Sequence, residues 1–463
     1  MSLQSELISY IAGTKYKDLP VSVIEATKKS VLDTLAVLIA GSTDEYVAKL
    51  VELTKGWGGR EECTIAVYGG KVPAPTAALV NGSMARARDL DEVHYGGGGH
   101  VGANIVPPAF VIAEYSKSVK DKAISGKDLI LANAIAGDIL CRIPKAYVPG
   151  DFRETGWCSE TLGAFAVAAL GGKLLGFGEA QIRDALGLAY ARMCGNAQVY
   201  REGAHTGVLQ NGFAGEGGVL ATILADRGFK GPGEVLEGKF GLFPLYLKGE
   251  HSAELFLTGM GKQFEGANAT MKLYPVYAGS QGPAYACIEL AKKHNIKAEN
   301  VDEVTISSNT HMKDNFGTEK KRLPKTIPEA LFSLYYGPAA SLVKRKVWLD
   351  DFTEEALQRP EVLEMCRRIK VVADPEKDAL NVLVPPTDIE IKTRDGQRYS
   401  MHVGAMPGYP ENPLSWAEVT QKLKDCVPWS AKPLSDKNIS KLSQTVEHLE
   451  KVDDVTVILD YLT

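Results

Sequence analysis

The chain lacks the features that mark the commonest enzyme classes. Its seven cysteines (63, 141, 158, 194, 287, 366 and 426) are scattered, odd in number and contain no CxxC pair. That excludes a disulfide framework and a zinc knuckle and points to reduced thiols. No GxGxxG opens a strand–helix unit, no GxxxxGKS or GxxxxGKT loop occurs, and no GxSxG elbow is present. Dinucleotide-dependent dehydrogenase, P-loop kinase and serine hydrolase readings therefore have no anchor. There is no HExxH and no pattern of two histidines plus a carboxylate on one helical face, so no metal is expected. The N-terminus, MSLQSELISYIAG, has no basic leader ahead of an apolar core, and the longest apolar stretch, 164–178, is broken by Gly and Lys. The charge is nearly balanced, 52 Lys+Arg against 57 Asp+Glu for a net of −5. No general attraction to nucleic acid or to an anionic membrane follows from that balance, and an anionic ligand has to be met by local cations. The expectation is a soluble cytoplasmic globular protein, and its 463 residues suit an enzyme.

Residues 1–265 read almost entirely as helix. In 22–40, Ile24, Val31, Leu35 and Leu38 share a face, Ser22 and Glu25 have capping-box spacing, and Gly41 stands where a helix should stop. A second helix spans 75–92, and another follows a proline break at 107–108. The glycines of these stretches sit among Leu, Ile and Val, which suits closely packed helices better than flexible linkers. From about 266 the texture alternates: 301–307, 368–374, 387–393 and 397–403 read as strands, with a hairpin at Asp395-Gly396. The inferred fold is mainly α. An all-helical domain, 1–265 plus 408–463, is interrupted by an α+β domain, 266–407.

Three polar clusters stand out. Arg86 to His94, four glycines and His100 form the densest. Asp89 and Glu92 share a helical face while Asp91 points elsewhere, and the glycines let the chain bring His100 back to the helix end. A carboxylate beside an imidazole orients a general base, although the same text also reads as a solvated helix end with a mobile loop. Arg201 to Gly207, with His205, is a charged loop between two apolar helices, which suits ligand contact or a plain connection. Met271 to Gln281 places Lys272 near Tyr274 and Tyr277 at the change of texture, as a carboxylate site or as a solvated lysine.

Together, SVLDTLAVLIAG (30–41), RDLDEVH with His100 and Pro107, GWCSETLGAF (156–165), the 204–232 segment, MKLYPVY (271–277), PEALFSLYYGPAASLV (328–343) and PGYPENPLSWAEVTQKL (407–423) resemble the MmgE/PrpD family. That family includes 2-methylcitrate dehydratase, cis-aconitate decarboxylase and iminodisuccinate epimerase. The resemblance covers nearly the whole chain. It implies a helical domain built from both chain ends with an inserted α+β lid, a homodimer, a cleft site between the domains, and no obligatory cofactor. It assigns catalytic roles to Asp89, His100, Lys272 and Tyr336, with Arg201, His205, Tyr277, Gln281, Cys158 and His94 around the substrate. The sequence departs from the family pattern at Val93, Cys158, Glu202, Tyr277 and Gln281.

The family's reactions share the handling of a proton or an electron pair on the carbon α to a carboxylate. The resemblance implies a cofactor-independent lyase, a hydro-lyase or decarboxylase, acting on a small di- or tricarboxylic acid. Lys272, Arg201 and His205 would neutralise carboxylates, and His100, oriented by Asp89, would move the proton. Tyr336 or Tyr277 would be the second acid. An epimerase of a small carboxylate and a non-catalytic ligand-binding member are the alternatives.

Overall fold

The computed structural model describes residues 2–463 apart from Gly98, Pro149, Asp151, Gly203 and His205, and describes the backbone alone for Arg153, Glu154 and Arg201. The chain is mainly helical and separates into two compact units, Met1–Met271 with Leu414–Thr463, and Lys272–Pro413. The seams fall slightly later than the expected 265/266 and 407/408, for local reasons. Thr270 exchanges both backbone hydrogen bonds with Val93, which ties it to the first unit. At the other end, the turns at Gly408 and Tyr409 fold back on Asn412 and Met406, and Met406 lies in the core of the second unit.

The first unit is a pile of helices whose small residues set the spacing. The helix Val21–Gly41 begins at Pro20, whose fixed φ of −58° starts the helix without a side-chain cap. The expected Ser22–Glu25 box does not form. Glu25 instead pairs with Lys28 at 2.7 Å and accepts the Trp416 indole N–H at 3.0 Å. Gly41 is the last helical residue rather than a stop signal, and a Cβ there would lie 1.9 Å from the Met84 carbonyl oxygen of helix Ala74–Arg86. The same closeness joins Ala74–Arg86 to Thr206–Asp226, where a Cβ at Gly212 would meet Ser83 Oγ at 2.2 Å and the Leu79 carbonyl at 2.3 Å.

Helix Val101–Lys120 carries Pro107 and Pro108 inside it without breaking. A proline removes one helical hydrogen bond and crowds the carbonyl four residues back, at a cost of about 3 kcal/mol. Every residue from Val101 to Ser116 is buried, so tertiary packing outweighs that cost. The first unit is not purely helical: β1 (Cys63–Thr64) and β2 (Lys71–Val72) pair antiparallel. Among the described residues no helix is long and apolar enough to cross a membrane.

The second unit packs helices on one four-stranded sheet. Its strands are β3 (Val301–Ser308), β4 (Ile369–Ala373), β5 (Thr387–Thr393) and β6 (Arg398–Val403), in spatial order β4-β3-β5-β6. β3 runs parallel to β4 and antiparallel to β5. β5 and β6 form the hairpin expected at Asp395-Gly396, where Gly396 takes the left-handed φ of +87° that the turn requires. Val304 and Ile306 of β3 and Ile389 and Ile391 of β5 supply the sheet's share of the core, alongside Ala284 and Cys287 of helix Ala278–Lys293.

Candidate active site

Helix Ala74–Arg86 ends abruptly, and the chain then turns through Asp89, which adopts a left-handed φ of +49°. Asp tolerates that conformation better than most residues. The turn changes which carboxylates converge. Asp91 and Glu92 lie beyond the helix, which ends at Arg86, so helical spacing does not govern them. Lys422 braces the segment, its ammonium 2.6 Å from Asp33 Oδ1 and donating to the Leu90 carbonyl at 3.0 Å.

The glycine loop is closed rather than loose. His94 and Gly99 exchange backbone hydrogen bonds, His94 N–H to Gly99 O at 2.7 Å and Gly99 N–H to His94 O at 3.2 Å. The Gly97 N–H also donates to His94 Nδ1 at 2.7 Å. That bond leaves the ring proton of His94 on Nε2, which faces Glu265 Oε2 at 3.9 Å. Burial holds the His94 pKa down, Lys145 adds to this and Glu265 opposes it, leaving it at about 4. His94 is thus a neutral clamp on the loop rather than a substrate cation.

The closed loop delivers His100 to the N-cap position of Val101–Lys120. Its ring Nδ1 lies 2.8 Å from Asp91 Oδ2. Asp91 is fully buried, while the His100 side chain retains 14% exposure. A carboxylate can only accept here, so Nδ1 carries the proton and Nε2 is turned away from Asp91. Among the described residues no hydrogen-bond partner faces Nε2. The expected orienting residue, Asp89, instead meets Arg86 Nη1 at 2.6 Å, and the same nitrogen lies 3.4 Å from Asp91 Oδ1. Burial disfavours the Arg86 charge, but Asp89 and Asp91 outweigh it and raise the guanidinium pKa well above its ordinary value.

A third carboxylate, Glu160, stands in the first turn of helix Ser159–Leu175. Ser159 Oγ links it to His100, accepting the His100 backbone N–H at 3.4 Å and donating to Glu160 Oε2 at 3.2 Å. Tyr200 donates to Glu160 Oε1 at 2.5 Å. Burial works against the Glu160 charge, but His100, Arg86 and the Tyr200 hydroxyl together hold its pKa below the ordinary value. The phenol of Tyr200 is pushed well up, by burial first and then by Glu160, so it remains a neutral donor.

The other sequence candidates are placed as follows. Cys158 caps the Ser159–Leu175 helix, and its thiol, 3.6 Å from Gln210 Nε2, is pushed well up by burial and then by Glu160. Arg201 lies in the short helix Gln198–Glu202, and His205 is outside the described residues. In the second unit Lys272 is buried, 1% exposed. Tyr277 stacks on Phe316 with ring centres 4.0 Å apart. Gln281 is consumed by backbone: Oε1 accepts from Leu273 and Tyr274 N–H at 3.1 and 3.2 Å, and Nε2 donates to the Tyr274 and Val276 carbonyls at 2.7 and 2.9 Å. It shapes the segment after Lys272 instead of reaching a ligand. Tyr336 is fully buried, and its hydroxyl points at the Asp351 and Ala356 carbonyls at 2.8 and 3.0 Å. Burial, then Asp351, raises that phenol, so the expected second acid is a core hydrogen bond.

Asp91, Glu160 and Tyr200 are the members that residue reasoning passed over. A reading of 87–92 as continuing helix hides Asp91, because the helix ends at Arg86. Glu160 carried a signal, since an acidic residue in the first turn after Ser159 matches a helix N-terminus. Tyr200 carried none. Among the described residues no group of three or more His, Cys, Asp and Glu is arranged to hold a metal ion.

Known proteins align along the whole chain. A model of the MmgE/PrpD N-terminal domain matches residues 5–254, and one of the MmgE/PrpD C-terminal domain matches residues 274–448. The cis-aconitate decarboxylase of Aspergillus terreus is 26% identical over 472 residues, covering 99% of this chain and 95% of that protein. The cis-aconitate decarboxylases of Mus musculus and Homo sapiens are each 23% identical, over 99% and 100% of this chain and 92% and 94% of theirs. The two domain models together cover most of the chain, and the chain belongs to the MmgE/PrpD family.

Proposed function

We propose that this protein is a lyase acting at the carbon α to a carboxylate of a small di- or tricarboxylic acid, with His100 as the proton carrier and Asp91 as its anchor. The observation that carries the reading is the His100–Asp91 pair. One ring nitrogen is fixed at 2.8 Å by a buried carboxylate, and the ring keeps partial exposure for a substrate. A general acid–base needs that arrangement, with one nitrogen held and the other presented.

The relatives' names favour decarboxylation over elimination of water. In that step the bond to the departing carboxylate breaks and its electron pair moves onto the α carbon, delocalised toward a neighbouring carboxylate. CO₂ leaves, and the imidazolium of His100 delivers a proton from Nε2 to the carbon. Asp91 stabilises the charged ring before transfer and keeps the tautomer afterwards.

Asp89, Asp91 and Glu160 make the described cluster anionic, and Arg86 is already engaged by two of them. Substrate carboxylates therefore need other cations, and Arg201, His205 and Lys272 are the ones this reading assigns to them. Epimerisation would require two proton carriers on opposite faces. With the Tyr336 hydroxyl held by carbonyls, this reading leaves His100 as the one proton carrier it names, which suits a lyase better.

The test is incubation of the protein with cis-aconitate and related di- and tricarboxylates in D₂O, followed by NMR and CO₂ measurement. Deuterium in a decarboxylated or dehydrated product supports the reading. A ligand that binds but shows neither exchange, elimination nor CO₂ release sinks it and favours a binding protein.

A further inference from the structure

His100 lies far along the chain from Arg201 and His205, yet one short turn holds both regions. It is the start of helix Ser159–Leu175. On one side, Ser159 Oγ accepts the His100 backbone N–H at 3.4 Å. On the other, residues around that turn hold the segment leading to Arg201 at three points. The Gly156 carbonyl accepts the Ala197 N–H at 3.0 Å, Thr161 Oγ1 donates to the Gly195 carbonyl at 3.0 Å, and Glu160 Oε1 accepts the Tyr200 hydroxyl at 2.5 Å. The first two bonds end at Ala197. The third reaches the helix Gln198–Glu202 itself.

A helix of five residues does not sustain itself, because fixing its first turn costs more than its few hydrogen bonds return. Its place is set by what it docks on. Tyr200 supplies that dock with a bond in the short range of a hydroxyl on a carboxylate. Ser159 and Glu160 are each 1% exposed, so water does not compete for the bond. Glu160 also divides its oxygens. Oε1 takes the phenol, and Oε2 takes the Ser159 hydroxyl at 3.2 Å, whose oxygen in turn receives the His100 N–H. One carboxylate therefore joins the seat of the proton carrier to the stretch that continues into Arg201. Beyond it, the Ala204 N–H on the Val199 carbonyl and the Gly207 N–H on the Ala204 carbonyl, at 3.0 and 3.2 Å, carry the same register into helix Thr206–Asp226.

We infer that Tyr200 is a positioning residue for substrate binding: its hydroxyl on Glu160 latches the helix Gln198–Glu202 to the seat of His100 and so fixes the stretch that carries Arg201 and His205. This role rests on the reading proposed above, in which those two residues meet substrate carboxylates and His100 moves the proton. Asp91 then sets the ring, and Tyr200 sets the distance from the ring to the carboxylate-binding loop.

The experiment compares the wild-type protein with Tyr200→Phe, Glu160→Gln and Glu160→Ala. Tyr200→Phe removes one hydroxyl and keeps the ring. Hydrogen exchange followed by mass spectrometry should show the amides of 195–207 exchanging on the order of tenfold faster in Tyr200→Phe, with the interior of Ser159–Leu175 unchanged. In turnover of cis-aconitate, Tyr200→Phe should raise KM on the order of tenfold and change kcat by less than about twofold, the signature of lost binding that is equal in ground and transition states. Glu160→Ala should raise KM as much and also lower kcat, since Ser159 loses its partner. Glu160→Gln keeps an oxygen for the phenol and should lose less than Glu160→Ala. Adding Tyr200→Phe to Glu160→Ala should raise KM no further, because both remove the same bond.

Wild-type exchange of 195–207 in Tyr200→Phe overturns the inference whether or not turnover is found, and so does a fall in kcat with KM unchanged. Wild-type rates in His100→Asn would overturn the underlying reading instead, and the exchange rates decide the latch independently of it.

Discussion

His100 offers one ring nitrogen to a buried carboxylate and the other to whatever enters beside it, and the two partners should separate cleanly by mutation. Replacing His100 with Asn should lower kcat by on the order of 100-fold or more, and Asp91→Asn should do so too, because an amide can present a donor to Nδ1 and reverse the tautomer. Asp89→Asn should cost less, since Asp89 holds Arg86 rather than the ring. Steady-state kinetics of the three variants checks that order, and equal losses would remove Asp91 from its special place. Glu92 makes a stability prediction as well. Burial raises its folded-state pKa to about 8, so the fold holds its proton more tightly than the unfolded chain does. The stability this contributes is fully present below the unfolded carboxyl range and is lost as pH rises through about 8. Glu92→Gln should therefore gain melting temperature relative to the wild type as the buffer becomes more alkaline, measured by thermal unfolding across pH.

The glycine loop illustrates the next scale, where a local element depends on one side chain. His94 accepts the Gly97 amide only while its ring is neutral, and its pKa is lowered to about 4. The unfolded chain takes up that proton more readily, so stability falls as pH drops from the ordinary histidine range toward about 4. Replacing His94 with Gln should flatten that acid loss in thermal melts, and an unchanged acid profile would show that the clamp contributes nothing. Between helices the decisive quantity is the spacing of their axes. Gly212→Ala would drive a methyl group against Ser83 and the Leu79 carbonyl, at a cost of roughly 1–3 kcal/mol, readable by chemical denaturation. The small-residue pattern made close packing legible in advance, but the pairs of helices involved were not. Likewise, Pro107-Pro108 reads as a break and proves continuous, because burial from Val101 to Ser116 outweighs the local penalty.

At the scale of the molecule, the C-terminal segment returns to the unit formed by the N-terminal half. Val419, Leu423 and Cys426 are buried there, and Lys422 bridges Asp33 and the Leu90 carbonyl beneath the site segment. Ending the chain at Pro413 should strip that support and abolish cooperative unfolding of the first unit, seen by calorimetry, whereas residues 272–413, with a core of their own, should retain their sheet by circular dichroism. The residue pattern alone determined the helical bulk, the four strands with their Asp-Gly hairpin and the neighbourhood of His100. Those are set by periodicity, turn chemistry and local composition, which act within a few residues. Only the tertiary structure decided that Asp91 and not Asp89 anchors the histidine, that Glu160 and Tyr200 join it, and that Gln281 and Tyr336 spend their polar atoms on backbone. Those choices depend on where a helix ends and on which distant groups occupy a carbonyl or a carboxylate, and hydrogen bonds between residues far apart in the chain leave no mark in local spacing.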